Sequence, residues 1–252
     1  MKIKALIVMT MTAAALLLPS CGKQPDKTSD ANVNEPVEFG ANITVSDSYA
    51  FRENDGRLYL WDLKTNSYEI FCTQPDCKHQ TAAENADTKC SAVAPKEGYF
   101  YNYAFLYNDT LYSICTGELN EFLIYTADTD GMNRKLVFTA ELSLCTMVNP
   151  VLDGGRLFFV GSEFEMNDTD SVGLRENYSL CSVDLSDFSF EKYMDIGTAN
   201  ETVIGKKSLL LYKNKIYFQH SEYSENSVHS AVECYDTVSY THLRAHETSQ
   251  DL

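Results

Sequence analysis

Apolar and polar residues alternate with a period of two through most of the chain beyond residue 45. From Tyr99 to Tyr107 every odd position is aromatic, which places one row of rings on one face of a β-strand and excludes a helix. Asn108-Asp109 interrupts that run, and Thr110-Leu111-Tyr112-Ser113-Ile114 resumes it, which is the pattern of a hairpin. The same combination of turn residue, one residue, aliphatic and aromatic occurs four times. It reads Gly56-Arg57-Leu58-Tyr59, Asp109-Thr110-Leu111-Tyr112, Gly155-Arg156-Leu157-Phe158 and Asn214-Lys215-Ile216-Tyr217. The aliphatic positions recur roughly every 50 residues, a period at which strand repeats build a propeller or a similar array.

Each of the first three repeats continues into a second hairpin. Its first strand ends in Tyr59-Leu60-Trp61-Asp62-Leu63, Leu123-Ile124-Tyr125-Thr126-Ala127 or Tyr178-Ser179-Leu180-Cys181-Ser182-Val183. Its turn falls at residues 64–67, 128–131 or 184–187, and its last strand at 68–71, 135–138 or 190–193. Two hairpins make a four-stranded antiparallel blade. The predicted fold is therefore all-β: a partial β-propeller over residues 45–237, with about three and a half blades and exposed strand edges where the ring does not close.

"Asp-Gly-Arg-Leu-Tyr" at residues 55–59 and "Tyr-Thr-Ala-Asp-Thr-Asp-Gly-Met-Asn-Arg-Lys-Leu" at residues 125–136 resemble the TolB-like and lipoprotein-receptor-like β-propellers of bacterial surface lipoproteins. The resemblance covers about residues 45–236. It implies a propeller and little chemistry.

The two ends read differently. Lys2 and Lys4 precede an almost wholly apolar run at residues 5–18, too short for a membrane span, which needs ~20 residues. Its flanks are those of an export signal. The ending Leu18-Pro19-Ser20-Cys21 resembles a bacterial lipobox, which implies a signal peptide over residues 1–20 and a diacylated Cys21 as the mature N-terminus. Two or more acyl chains anchor a protein stably where one is marginal. Residues 21–44 then read as the lipidated Cys and a flexible linker, residues 22–38 carrying too little apolar surface to fold. The expected location is the outer face of the cell membrane, reached through the lipid. At the other end, residues 238–252 resemble a translated sequencing adapter and are expected to lie outside the fold, the repeats breaking off near Asp236. His242, His246 and Glu247 mimic a helical metal pair within that run and carry no functional weight.

Composition narrows the partners. Against 20 basic residues stand 36 acidic ones, a net charge of −16. A phosphate backbone wants a basic face, so nucleic acid is not an expected partner. With 16 Tyr and 13 Phe the chain has ample aromatic surface for a core and for an extracellular glycan or protein ligand.

Of the eight cysteines, three cluster with a histidine: Cys72, Cys77, His79 and Cys90, in the loop leaving the first blade. They resemble a Cys-x4-Cys-x-His…Cys insert of some of those lipoproteins. Three thiols and an imidazole suit tetrahedral Zn²⁺, although His79 lies closer to Cys77 than the usual two to four intervening residues. An exported chain is commonly oxidised, which favours a disulfide stapling the insert; metal and free thiols are the alternatives. Cys115, Cys145, Cys181 and Cys234 sit singly in apolar strands and read as core residues.

Asp128-Thr129-Asp130-Gly131 reads as a β-turn rather than the start of a Ca²⁺ loop. Glu163, Glu165, Asp168 and Asp170 form a carboxylate group of the kind glycoside chemistry needs, but in a polar insert. His220 and His229 flank Glu222 and Glu225 with no nucleophile motif beside them. No catalytic residue and no cofactor is assigned. The expected function is a lipid-anchored binding or scaffold propeller at the cell envelope. The alternatives are a carbohydrate-active hydrolase or lyase, and a redox or metal site in the Cys72–Cys90 insert.

Overall fold

The computed structural model describes residues 37–85, 88–117, 121–145, 148–166, 174–199, 202–204, 209–224, 227–237 and 241–251. The signal segment, Cys21, Asp168, Asp170 and Glu225 lie outside them, as do the side chains of His220, Glu222 and β19 below.

Turn chemistry sets the frame. Each of the four repeated motifs starts at the second residue of a two-residue hairpin turn, and both turn residues have positive φ: Asp55 and Gly56 at 54° and 71°, Asn108 and Asp109 at 47° and 55°, Gly154 and Gly155 at 54° and 86°, Lys213 and Asn214 at 50° and 60°. That geometry matches the right-handed twist of the flanking strands. The aliphatic residue that follows is buried every time, at Leu58, Leu111, Leu157 and Ile216.

Four antiparallel sheets result, arranged as a four-blade β-propeller. The first is a meander of β1 (Glu38–Gly40), β2 (Ile43–Val45), β3 (Tyr49–Asn54), β4 (Arg57–Asp62) and β5 (Ser67–Ile70). The second has four strands: β6 (Phe100–Tyr107), β7 (Thr110–Thr116), β8 (Phe122–Ala127) and β9 (Lys135–Ala140). In the third, β10 (Ser143–Leu144) and β11 (Val151–Asp153) share one edge of β12 (Arg156–Met166), followed by β13 (Leu174–Asp184) and β14 (Phe190–Thr198). The fourth repeats that plan: β15 (Thr202–Ile204) and β16 (Leu210–Tyr212) along β17 (Lys215–Ser224), then β18 (Ser227–Asp236) and β19 (Thr241–Asp251). The third and fourth sheets are thus four strands wide, with a divided first strand.

The structure adds to the expected pattern in three places. The fourth sheet includes β19, from the adapter-like run, paired along the whole of β18. The first sheet is five strands wide, because β1 and most of β2 come from the segment read as linker. Phe39 explains the ordering: it packs edge-on against Tyr103 and Phe105 at 5.2 and 5.4 Å between ring centroids. Finally, the aromatic row of β6 does not keep to one face. Pairing with β7 slips between Tyr101 and Tyr103, and a one-residue slip exchanges the faces. Tyr99 and Tyr101 join the core between the first and second sheets, whereas Tyr103 and Phe105 join the core between the second and third. Asn102, the extra residue, accepts a hydrogen bond from Thr116 Oγ1 at 2.9 Å.

Successive sheets interlock. Tyr49 Oη of β3 accepts the Leu106 amide of β6 at 2.9 Å. Phe122 and Phe159 stack at 4.7 Å between the second and third sheets, and Tyr193 meets Tyr235 at 4.8 Å between the third and fourth. Cys115, Cys145 and Cys181 are buried in these cores and Cys234 is buried in β18, none of the four in a disulfide.

Candidate functional site

Where β5 ends at Ile70, the chain leaves the first sheet and returns to it two dozen residues later. On return it takes the place of β5 beside β4: Leu58 donates its amide to Ala92 O at 2.7 Å, and Val93 bridges Arg57. Ser91 Oγ closes the base of the loop on Phe71 O at 2.8 Å. Residues 72–93 therefore form a loop with both ends fixed to one blade.

Side chains from three directions hold the loop. Arg57 Nε donates to His79 O at 3.1 Å. Gln74 Nε2 crosses the loop to Lys89 O at 2.7 Å. From the second blade, Arg134 Nη1 donates to Val93 O at 2.7 Å, and Tyr101 Oη reaches the same oxygen at 2.9 Å. Gly131 passes so close that a Cβ there would lie 2.5 Å from Ser91 Cβ and 2.7 Å from a ring carbon of Phe71.

Cys72, Cys77, His79 and Cys90 all turn inward. One sulfur or ring-nitrogen atom from each lies within 4.8 Å of the other three. His79 Nδ1 is 3.4 Å from Cys90 Sγ. Asp76 and His79 both have left-handed backbone, φ 58° and 51°, and this reversal lets ligands only two residues apart face one point. Cys72 and Cys90 are buried; Cys77 and His79 are partly exposed. The three sulfurs are not bonded to one another, and four groups converge on one point rather than two.

Each sulfur accepts a hydrogen bond from the amide two residues further on: Cys77 from His79 at 3.4 Å, Cys72 from Gln74, and Cys90 from Ala92. Burial pushes the Cys90 thiol up to about 12. Burial raises Cys72 too, but the Gln74 amide, the neighbouring thiols of Cys90 and Cys77 and the Ser91 amide outweigh it and leave Cys72 below the ordinary thiol value. Cys72 is thus poised to ionise before Cys90.

A second feature is a cavity of about 630 Å³ between β1 and β2 of the first sheet, the edge at β11 of the third and β16 of the fourth. Phe39, Ile43, Val45, Pro150, Val151 and Leu211 contribute to its lining, with Glu38 the one carboxylate in it among the described residues. Leu210 at its rim is 63% exposed.

The remaining candidates are occupied otherwise. Glu163 pairs with Lys192 at 3.1 Å, which removes it from a free carboxylate pair. At Asp128-Thr129-Asp130-Gly131 the Gly131 amide donates to Asp128 O at 2.8 Å and Met132 N to Asp130 Oδ1 at 2.9 Å, a turn that consumes its own acceptors. His229 Nε2 is 3.0 Å from Ser227 Oγ. Arg57 and Arg134, which hold the loop, fall within the two segments that carry the family resemblance, and Tyr101 lies in β6; no sequence signal marks any of the three as a support of the cluster.

No family model and no curated protein matches this chain. Among solved structures it is similar to an oligogalacturonate lyase in complex with manganese (TM-score 0.45, 9% identity, 80% of this chain and 51% of that one). It is also similar to a thermostable family-43 glycoside hydrolase (TM-score 0.42, 8% identity, 84% and 71%) and to Porphyromonas gingivalis dipeptidyl peptidase 4 (TM-score 0.34, 8% identity, 86% and 40%). The chain spans about half the length of that lyase. Likeness at this level says nothing about what this chain binds.

Proposed function

We propose that this protein is a binding module of the cell envelope, tethered to the outer face of the membrane through lipid on Cys21, with its ligand received at the cavity between the inner strands. The cavity carries the reading. Its volume of about 630 Å³ lies in the range of ligand sites, ~300–1,000 Å³, which are mostly apolar with few polar groups. With Glu38 the one carboxylate among the described residues of its lining, it suits binding better than the paired-carboxylate chemistry of a glycosidase. The apolar lining also suits a protein segment better than a glycan.

A photoreactive residue at position 210, in cells expressing the full chain, tests this. The expected result is a discrete protein adduct, at least tenfold weaker when Ile43→Glu charges the cavity wall. An adduct unaffected by Ile43→Glu, or none at all, overturns the reading. The anchor is tested separately: Cys21→Ser should shift the protein from the membrane fraction to the soluble one, and unchanged membrane retention excludes the lipid.

A further inference from the structure

We propose that Cys72, Cys77, His79 and Cys90 bind one Zn²⁺ ion in a closed tetrahedral site, and that the metal clamps the 72–93 loop to the first two blades. This inference does not depend on the ligand cavity.

The first argument is size. Zn–S bonds of ~2.3 Å and Zn–N bonds of ~2.0–2.1 Å set the edges of such a tetrahedron at roughly 3.5–3.8 Å. The four donor atoms already lie within 4.8 Å of one another, and the His79 Nδ1 to Cys90 Sγ edge is 3.4 Å. Closing onto an ion therefore needs shifts of roughly 1 Å or less at the widest edge. A disulfide needs its sulfurs at ~2.05 Å and uses two of the three cysteines, leaving the convergence of the third thiol and the imidazole without a reason. A two-iron cluster divides its four terminal ligands between two metals and spreads them further than a mononuclear site does.

Donor chemistry is the second argument. Three thiolates and an imidazole are soft to borderline ligands, and a tetrahedral set of that kind selects Zn²⁺ over the hard cations that want oxygen. The ligand set is complete at four, so no position is left for water or substrate, and the site is structural rather than catalytic.

The third argument is preorganisation. Amides two residues on point at each sulfur, as a thiolate bound to a cation requires. His79 uses Nδ1, the ring nitrogen nearer the main chain, while Arg57 fixes its carbonyl from the other side. The chain spacing alone argued against a metal. The left-handed turns at Asp76 and His79 remove that objection, since they fold the short Cys77-x-His79 segment back on itself.

The test uses the purified full chain. Elemental analysis should find about one equivalent of zinc, and replacement by Co²⁺ should give the visible ligand-field bands of a tetrahedral thiolate site. Cys77→Ser and His79→Ala should each weaken metal affinity by ~10–100-fold or more, while Cys115→Ser, a core thiol of the second blade, keeps the metal. Chelation of the wild type should lower the thermal midpoint and open the 72–93 loop to protease, and added Zn²⁺ should restore both. The wild-type cobalt and chelation readouts stand even where a variant fails to fold. Metal retained equally by Cys77→Ser and His79→Ala, absence of the tetrahedral cobalt spectrum, or thiol titration showing two of the three cysteines oxidised overturns the proposal.

Discussion

Arg57 Nε donates a hydrogen bond to the main-chain oxygen of His79 at 3.1 Å. Arg57 opens the second strand of the first hairpin, the position held by Thr110, Arg156 and Lys215 in the other three blades. Arg156 uses it to reach Glu191 at 2.6 Å within its own blade. Arg57 instead turns to the insert, so a repeat position has become the support of the local site. One part-buried hydrogen bond of this kind contributes about 1 kcal/mol. Arg57→Ala should lower stability in urea by about that amount and speed alkylation of Cys77. Lys should rescue neither fully, lacking the fixed fork that spans His79 O and Glu84. An unchanged alkylation rate in Arg57→Ala would show that the insert holds itself.

Two glycines with positive φ separate backbone strain from crowding. Gly131 has φ 83°, and a Cβ there would meet Ser91 and Phe71 at under 3 Å; Gly154 has φ 54°, and a Cβ there would meet nothing within 4 Å. Gly154→Ala should cost about 1 kcal/mol, the penalty of the left-handed conformation alone. Gly131→Ala should cost more, because the loop base must also move away from the second blade. Equilibrium denaturation of the pair ranks them, and an equal loss would show that the close approach is soft.

The stacked Phe122 and Phe159 rings join the second and third blades, and both are fully buried. Phe122→Ala should lose roughly 3–5 kcal/mol. Since a four-blade ring has few inter-blade surfaces, the loss should appear as one cooperative transition moved to lower denaturant. A second transition at the old midpoint would mean that the blades unfold separately.

Carboxylates at turns and strand ends make the fold sensitive to acid. Hydrogen bonds from the Ser186 hydroxyl and amide, with Arg156 beside them, hold Asp184 below its ordinary value of 3.8. The Thr65 amide does the same for Asp62, and Lys192 and Ser179 for Asp195. A depressed native pKa contributes stability that is present above the unfolded value and is lost as pH falls through the native one. The denaturation midpoint should therefore fall as pH drops below about 4, and Asp184→Asn should flatten part of that fall. A slope unaltered by Asp184→Asn would place the acid sensitivity elsewhere.

Much of this architecture is written locally. The four two-residue turns, the buried aliphatic after each and the outer hairpins follow from Gly, Asn and Asp at positions needing positive φ, and from period-two patterning. These are interactions between residues close in the chain. Tertiary packing decided the rest. Val37 to Val45 carries no repeat motif, yet joins the first sheet where Phe39 meets the Tyr103 and Phe105 rings some sixty residues away. The aromatic row of β6 divides between two cores because pairing with β7 admits a bulge at Asn102, which no single-strand pattern records. Sequence spacing brought Cys72, Cys77, His79 and Cys90 into one loop and left open what they form. Their convergence on one point depends on backbone reversal at Asp76 and His79, on Gln74 crossing the loop, and on Arg57 and Arg134 reaching in from outside it, and such contacts leave no periodic trace in the chain.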